Sequence, residues 1–281
     1  MFKIMGGFIL MTSLLGPITC GPSSETNAEK LSRIEVSSKY DAPIRVSQRT
    51  IADMRKEENA DVMRSMIFPT VSILKNNQEI GSGFMIKHKG KFVVITARHC
   101  VISTKEVDEA KDMSADLMQI AKRKKIEIGV HSGNISQKFN VEVRYVGFKH
   151  DWIILTMLDP KLQYPVGDTK LEVNIKRYAA KLASKETLKK IKMFRPVYVI
   201  GRPLGLEHYV LTKGVISGGN DGLLGISAEV VPGNSGGPVF DAETHEVIGV
   251  VVSVISNGFQ IYPHIGYAEK IENVIAILDL L

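Results

Sequence analysis

The feature that most constrains the fold is a series of short apolar runs, rich in Val, Ile and Phe, that are separated by Gly, Pro, Asn and Asp. Many short strands with turn residues between them are typical of an all-β barrel or sandwich. The runs begin at Val71, Gly83, Phe92, Val141, Ile153, Val197, Tyr209, Val230, Val239 and Val247. They form two β-rich halves of similar length, on either side of about residue 170.

Three stretches have helical periodicity, at about residues 105–125, 184–193 and 268–280. The first is expected to be an insertion that lies on the β structure, and the last to pack an apolar face against the core. Basic clusters occur at residues 122–125 and 189–192. They are read as a solvated face, with contact to anionic lipid or an acidic partner as the alternative.

Composition excludes several classes of protein. The chain has 281 residues, 44% of them hydrophobic and 23% charged, so it is neither disordered nor collagen-like and fits one or two domains. The net charge of +6 is mild, and basic residues do not interleave with aromatic ones, so specific nucleic-acid binding is not indicated. Two cysteines, Cys20 and Cys100, allow one bridge at most, and we expect no stabilising disulfide.

The N-terminus has the pattern of an export signal. Residues 1–20 carry one early positive charge at Lys3, followed by an uncharged apolar run that is too short to span a membrane comfortably. The run ends at Cys20, which resembles the lipidated cysteine of a bacterial lipoprotein, although residues 17–19 depart from the usual motif. We expect an exported protein, periplasmic or extracellular, with an ordinary secretory peptide as the alternative to a membrane tether at Cys20. The polar residues 21–60 are expected to form a tether or a loosely docked arm.

The strongest chemical signal is Ser235, which lies in the glycine-rich sequence Pro-Gly-Asn-Ser-Gly-Gly-Pro at residues 232–238. Glycine allows backbone conformations that other residues resist. A nucleophilic serine needs this freedom, because its own N–H and that of Gly233 must point at one spot to hold a developing oxyanion. A simple β-turn is the alternative.

Two upstream residues complete a catalytic pattern. His99 directly follows an apolar strand, and Asp151 directly precedes another, so both are expected at strand ends. In a serine triad the histidine takes and returns the proton, and the acid orients the imidazole. Taken alone, His99 could be a core histidine and Asp151 a strand-start cap.

These motifs resemble those of trypsin-like, chymotrypsin-fold serine proteases over roughly residues 66 to 281. The resemblance rests on Gly-Ser-Gly-Phe at 81–84, Thr-Ala-Arg-His-Cys at 96–100, Asp-Trp-Ile-Ile-Leu at 151–155, Gly-Asn-Ser-Gly-Gly-Pro at 233–238 and Ile-Gly-Val at 248–250. It implies a protease domain over 61–281 with two antiparallel six-stranded β-barrels that divide near 170–195. It also implies a polypeptide substrate, catalysis by His99, Asp151 and Ser235, and an oxyanion hole from the Gly233 and Ser235 amides. No cofactor or metal is expected.

Within the family, the chain is more similar to bacterial HtrA-type and glutamyl-endopeptidase-type enzymes than to digestive trypsin. Asn234 stands where digestive members have the Asp that receives a new N-terminal amine, so activation by that salt bridge is not expected. Cys100 has no second cysteine nearby in sequence and is expected to be a small buried apolar residue. The chain ends about 46 residues after Ser235, so no PDZ domain is expected there.

Substrate preference is less clear from the sequence. The resemblance places the primary pocket near Glu229 and along the strand after Gly249, with Val252 and Ser253 as lining residues. The aliphatic residues of that strand favour a shallow pocket for small apolar side chains. As the alternative, Glu229 lies at its base and selects Lys or Arg.

Other functional classes remain to be compared. The Gly-Asn-Ser-Gly-Gly sequence also fits the nucleophile elbow of α/β-hydrolases, but there the acid and histidine follow the serine. Here they precede it, so that class is rejected. A protease-fold protein that binds peptides without cutting them and an esterase on the same fold remain as alternatives.

Overall fold

The architecture is that of a computed structural model, which describes residues 44–45, 63–110, 115–132, 135–166, 169–174, 178–203, 206, 208–220, 222–256 and 261–281. The expected signal segment at 1–20, with Cys20, lies outside these residues, as does most of the expected arm at 21–60. Within that arm, strand β1 (Ile44–Arg45) pairs with residues 210–211. Among the described residues, no helix has the length and apolar character to cross a membrane.

The first barrel is closed by six antiparallel strands, in the order β2, β3, β4, β7, β6, β5. They are β2 (Thr70–Lys75), β3 (Gln78–His88), β4 (Lys91–Ala97), β5 (Ile126–Ser132), β6 (Ile135–Val146) and β7 (Trp152–Met157). Two tight turns set its register. Asn76 and Asn77 join β2 to β3, and Lys89 and Gly90 join β3 to β4, all four with positive φ. Two-residue hairpins of type I′ require this conformation, which Asn and Gly adopt readily.

The second barrel contains six strands, and β1 is added at one side. Its strands are β10 (Pro196–Gly201), β11 (Val210–Gly219), β12 (Leu223–Ile226), β13 (Pro238–Asp241), β14 (Val247–Ser256) and β15 (Ile261–Lys270). Pairing of β11 with β12 closes the sheet. Strands β8 (Lys161–Val166) and β9 (Thr169–Asn174) form a separate hairpin between the barrels in sequence. The prediction of two six-stranded antiparallel barrels is confirmed.

Continuous apolar runs arise because several strands are buried on both faces. In β4, Val94 points into the first barrel's core, whereas Val93 and Ile95 belong to the core cluster shared with the second barrel. In β7, Ile153 and Ile154 divide between the two clusters in the same way. Side chains of a strand alternate between its faces, so an interior face and an interface together require apolar residues at successive positions.

In the part of the chain that the structure describes, the α-helices are few and short. They are α1 (Thr104–Glu109), α2 (Ala115–Lys122), α3 (Lys185–Lys189) and α4 (Ile271–Leu278). The expected insertion at 105–125 is helical in two pieces, and α2 buries Leu117 and Ala121 in the first barrel's core. The closing helix begins at Ile271 and not at Ala268, because 268–270 still pair as part of β15.

One predicted strand is wrong. Val230 and Val231 have no strand structure, although both are β-branched. The Val230 amide donates to the Pro263 carbonyl, and the Val231 carbonyl accepts from the Asn234 amide, so this segment leads into the turn at Ser235. Local turn geometry overrides strand propensity here.

Candidate active site

His99 and Asp151 are brought together by the pairing of β4 with β7. The last pair of that ladder is Ala97 with Trp152, so the residues just beyond β4 face the residue just before β7. His99 lies in a single 3₁₀ turn, Arg98–Cys100, that directly follows β4. The sequence expectation that both residues occupy strand ends is confirmed.

The Asp151 carboxylate makes two hydrogen bonds with His99. Its Oδ2 lies 2.6 Å from His99 Nδ1, and its Oδ1 accepts the His99 backbone N–H at 3.0 Å. Burial lowers the pKa of His99, but the hydrogen bonds to Asp151 and Cys100 outweigh it, so the pKa lies above its usual value of 6.5. Asp151 thus favours the charged imidazolium and orients the ring.

Arg98 holds the Asp151 segment from the side of the first barrel. Its guanidinium Nη1 donates to the carbonyl oxygens of Gly147 and Phe148 at 2.8 Å and of His150 at 3.2 Å. The Arg98 backbone N–H donates to the Asp151 carbonyl at 3.2 Å. A planar guanidinium can collect several carbonyls in one plane, so this side chain stabilises the loop before β7.

The serine turn, defined here as residues 233–237, depends on glycine at two positions. Gly233 and Gly236 have φ of +100° and +84°. A Cβ on Gly236 would collide with the Thr96 hydroxyl and the Ser82 carbonyl oxygen and would lie 2.7 Å from the Ala97 nitrogen. The first barrel therefore packs directly on this turn, and only glycine fits there.

The amide groups of Gly233 and Ser235 are available to a ligand. Within the described residues, neither N–H donates to another backbone carbonyl, whereas the neighbouring Asn234, Gly236 and Gly237 amides all do. The Asn234 side chain is buried, and its Oδ1 has no hydrogen-bond partner among the described residues. Two N–H groups that have no backbone partner, on either side of one residue, are the kind of donors that an oxyanion hole requires.

Ser82 connects the first barrel to this turn. Its N–H donates to the Ser235 carbonyl at 2.8 Å, and its hydroxyl donates to the Gly233 carbonyl at 2.7 Å. The same hydroxyl accepts the Arg202 backbone N–H at 3.0 Å. The fully buried Ser82 thus fixes two carbonyls of the turn.

Cys100 also contacts the turn. It is a free, buried thiol, as expected, and its Sγ lies 3.6 Å from the Ser235 carbonyl oxygen. Because Cys100 directly follows His99 in the chain, this contact places the Ser235 backbone next to the turn that carries His99. Asp151 is bound to His99, so the serine turn and the His99–Asp151 pair lie at the same junction between the two barrels.

The three candidate specificity residues differ in position. Val252 is buried and packs with Ala97 and Cys100, next to the site, whereas Ser253 is exposed. Glu229 Oε1 lies 3.7 Å from His264 Nε2, and both side chains are substantially exposed. The Glu229 carboxylate is thus already close to a basic partner.

Two contributing residues were not identified from the sequence. Ser82 lies in the Gly-Ser-Gly-Phe motif at 81–84, but nothing in that motif predicts where its hydroxyl points. Glu269 on β15 accepts the Asp151 backbone N–H at 2.9 Å, and an acidic residue near a strand end gives no distinctive sequence signal. No group of His, Cys, Asp and Glu side chains among the described residues could hold a metal ion.

Comparison with known families agrees with this site. The trypsin-like peptidase domain profile matches residues 81–250, which is more than half of the chain and includes His99, Asp151 and Ser235. The chain therefore belongs to the trypsin-like peptidase family.

Solved structures support the same fold. Rv3671c from M. tuberculosis H37Rv, crystallised as a serine-to-alanine mutant in an inactive form, is similar with a TM-score of 0.51 and 18% identity. The similarity covers 85% of this chain and 94% of that one. At this identity it shows the fold alone. The comparison with curated protein sequences gives no match.

Proposed function

We propose that this protein is a serine endopeptidase that cleaves peptide bonds through an acyl-enzyme intermediate. The observation that carries the proposal is the 2.6 Å contact between His99 Nδ1 and Asp151 Oδ2, in a site to which the serine turn is also bound. Membership of the trypsin-like peptidase family supports the same class of reaction.

Each residue has a defined role in this mechanism. The Ser235 hydroxyl attacks the substrate carbonyl while His99 takes its proton, and His99 then gives that proton to the leaving amine. Water next attacks the acyl-enzyme, with His99 again as base, and Ser235 is released with its proton restored. Asp151 keeps the Nδ1 proton in place, so Nε2 is the nitrogen that would accept the Ser235 proton.

Charge stabilisation comes from two sources. The raised pKa of His99 means that Asp151 favours the imidazolium that forms as Ser235 attacks. The unpaired Gly233 and Ser235 amides would receive the negative charge that develops on the carbonyl oxygen. Removal of one such donor typically costs about 10²–10³-fold in rate.

For specificity, we propose a preference for small apolar side chains next to the cleaved bond. The buried Val252 beside Cys100 supports an apolar wall. The proximity of the Glu229 carboxylate to His264 argues against a free acid that would select Lys or Arg. A peptide library varied at this position tests the preference, and efficient cleavage after Lys or Arg would contradict it.

Export, and a membrane tether through Cys20, remain proposals that rest on the sequence pattern of residues 1–20. Metabolic labelling of cells with a radioactive fatty acid, comparing the wild type with a Cys20→Ala variant, tests lipidation.

Covalent labelling with a fluorophosphonate probe tests the proposed activity. The wild type should be labelled, and Ser235→Ala should not. Ser217→Ala, an exposed serine on β11, is the matched control and should be labelled normally. Absence of labelling in folded wild-type protein would contradict the proposal and favour a peptide-binding protein, whereas labelling followed by cleavage of esters but not peptides would favour an esterase.

A further inference from the structure

A buried carboxyl group of the second barrel reaches across to the first barrel next to Asp151. Glu269, near the end of β15, is 5% exposed. Its Oε1 accepts the Asp151 backbone N–H at 2.9 Å, and its Oε2 lies 3.0 Å from His150 Nδ1. Both oxygens therefore bind the two residues that precede β7.

The burial of Glu269 is not explained by its own strand. Its backbone pairs with Leu223 and Val250, as the sheet requires, but an apolar side chain would serve that purpose equally well. A buried carboxyl group is costly unless it is hydrogen-bonded. Within the described residues, the hydrogen-bond partners of its side chain are His150 and Asp151, both in the opposite barrel.

Asp151 is consequently held at three points. Glu269 accepts its amide proton, the Arg98 amide binds its carbonyl oxygen, and His99 binds its carboxylate. The first of these contacts alone comes from the second barrel. Arg98 binds carbonyl groups of the loop before β7, whereas the Asp151 N–H is bound by Glu269. A shift of about 1 Å at a catalytic group can reduce a reaction rate about 10²-fold.

We propose that Glu269 is a positioning residue that fixes Asp151, so that docking of the second barrel sets the geometry between Asp151 and His99. An effect of Glu269 on catalysis rests on the proposed function. Glu269 itself contacts neither the serine turn nor His99 within the described contacts, and it acts through the Asp151 backbone.

The test compares Glu269→Met with Glu269→Gln in the full chain. Methionine fills nearly the same volume but accepts no comparable hydrogen bond, whereas glutamine keeps a carbonyl oxygen for the Asp151 N–H. The first readout is the pKa of His99 from an NMR titration, with its signal assigned by its loss in His99→Gln. The groups that face this imidazole are Asp151 and Cys100. The second readout is the rate of fluorophosphonate labelling.

We expect Glu269→Met to lower the pKa of His99 toward its usual value and to slow labelling about 10²-fold. Glu269→Gln should keep both values near those of the wild type. A purely structural role would lower the melting temperature of Glu269→Met without moving the pKa. Glu269→Ala replaces the Met variant if the latter fails to fold.

The two proposals fail differently. An unchanged His99 pKa in the folded Glu269→Met protein overturns the positioning role, whether or not the wild type is active. A lowered His99 pKa in both Glu269→Met and Glu269→Gln also overturns it, because the hydrogen bond that Gln preserves would then be irrelevant. An unlabelled wild type in which Glu269→Met still lowers the His99 pKa supports the positioning role and contradicts the proposed function.

Discussion

Replacement of Asp151 by Asn gives the sharpest test of the site's chemistry, because the two oxygens of Asp151 bind different groups of His99. Oδ1 accepts the His99 backbone N–H at 3.0 Å, and Oδ2 lies 2.6 Å from His99 Nδ1. Asparagine has only one oxygen. The backbone amide can only donate, whereas the imidazole can change its tautomer, so we expect the oxygen to face the backbone and the NH₂ group to face Nδ1.

This arrangement determines the size of the effect. With NH₂ facing Nδ1, the ring proton must move to Nε2, and His99 can no longer accept the proton of Ser235. Loss of the correct tautomer costs about 10⁴-fold in kcat in enzymes of this triad type. At about 1.36 kcal/mol for each tenfold change, this corresponds to about 5 kcal/mol of transition-state stabilisation. Removal of the negative charge should also lower the pKa of His99 from its raised value.

The assay is hydrolysis of the best peptide from a library, measured from pH 5 to 10 for the wild type, Asp151→Asn and Asp108→Asn. Asp108 is exposed on α1, so its variant controls for the loss of one acidic charge. Wild-type activity should rise with pH as His99 loses its proton, with a midpoint above 6.5. A folded Asp151→Asn protein within tenfold of the wild-type rate would refute the argument, as would a midpoint that does not move down.

Three further predictions concern the serine turn and the stability of the fold. Gly236→Ala should abolish labelling and destabilise the protein strongly. Gly90 has a similar φ of +81°, but a Cβ there would meet no atom within 4 Å. Gly90→Ala should therefore lower the free energy of unfolding in urea by only about 1 kcal/mol. Equal costs would show that the packing on the turn is unimportant. Ser82→Ala should lower the kcat of peptide hydrolysis about tenfold or more with little change in KM, because the turn loses an anchor for the amides that hold the oxyanion. A change confined to KM would contradict this. Glu246 is buried, which alone would raise its pKa, but bonds from Lys181 and nearby donors hold the pKa at about 2, below its usual 4.5. Its stabilisation should be complete above about pH 4.5 and lost as the pH falls toward 2, so the acid slope of unfolding free energy should be smaller in Glu246→Gln; an equal slope would exclude this role.

The fold was predictable from the sequence because strand burial leaves a local record. The apolar runs at Phe92 and Ile153 identify β4 and β7, and both are apolar at successive positions because both faces are buried. The prediction of strands failed where the local sequence pattern is ambiguous. β15 contains Pro263, His264 and Gly266 and gives no apolar run, so it was missed, whereas the two β-branched residues at 230–231 lie in no strand.

The sequence by itself determined which chemical groups the site contains. These are a histidine and an acid at strand ends, and a serine in a turn that requires glycine at two positions. It could not determine how those groups are held, because the holding contacts join residues that are far apart in the chain. Ser82 binds Gly233 over 151 positions, and Glu269 binds the Asp151 backbone over 118. Neither residue has a periodicity or a motif that depends on its partner. Only the packing of the two barrels against each other brings these partners within hydrogen-bonding distance. Because a hydrogen bond requires its donor and acceptor to lie about 2.9 Å apart, tertiary structure determines whether these bonds form.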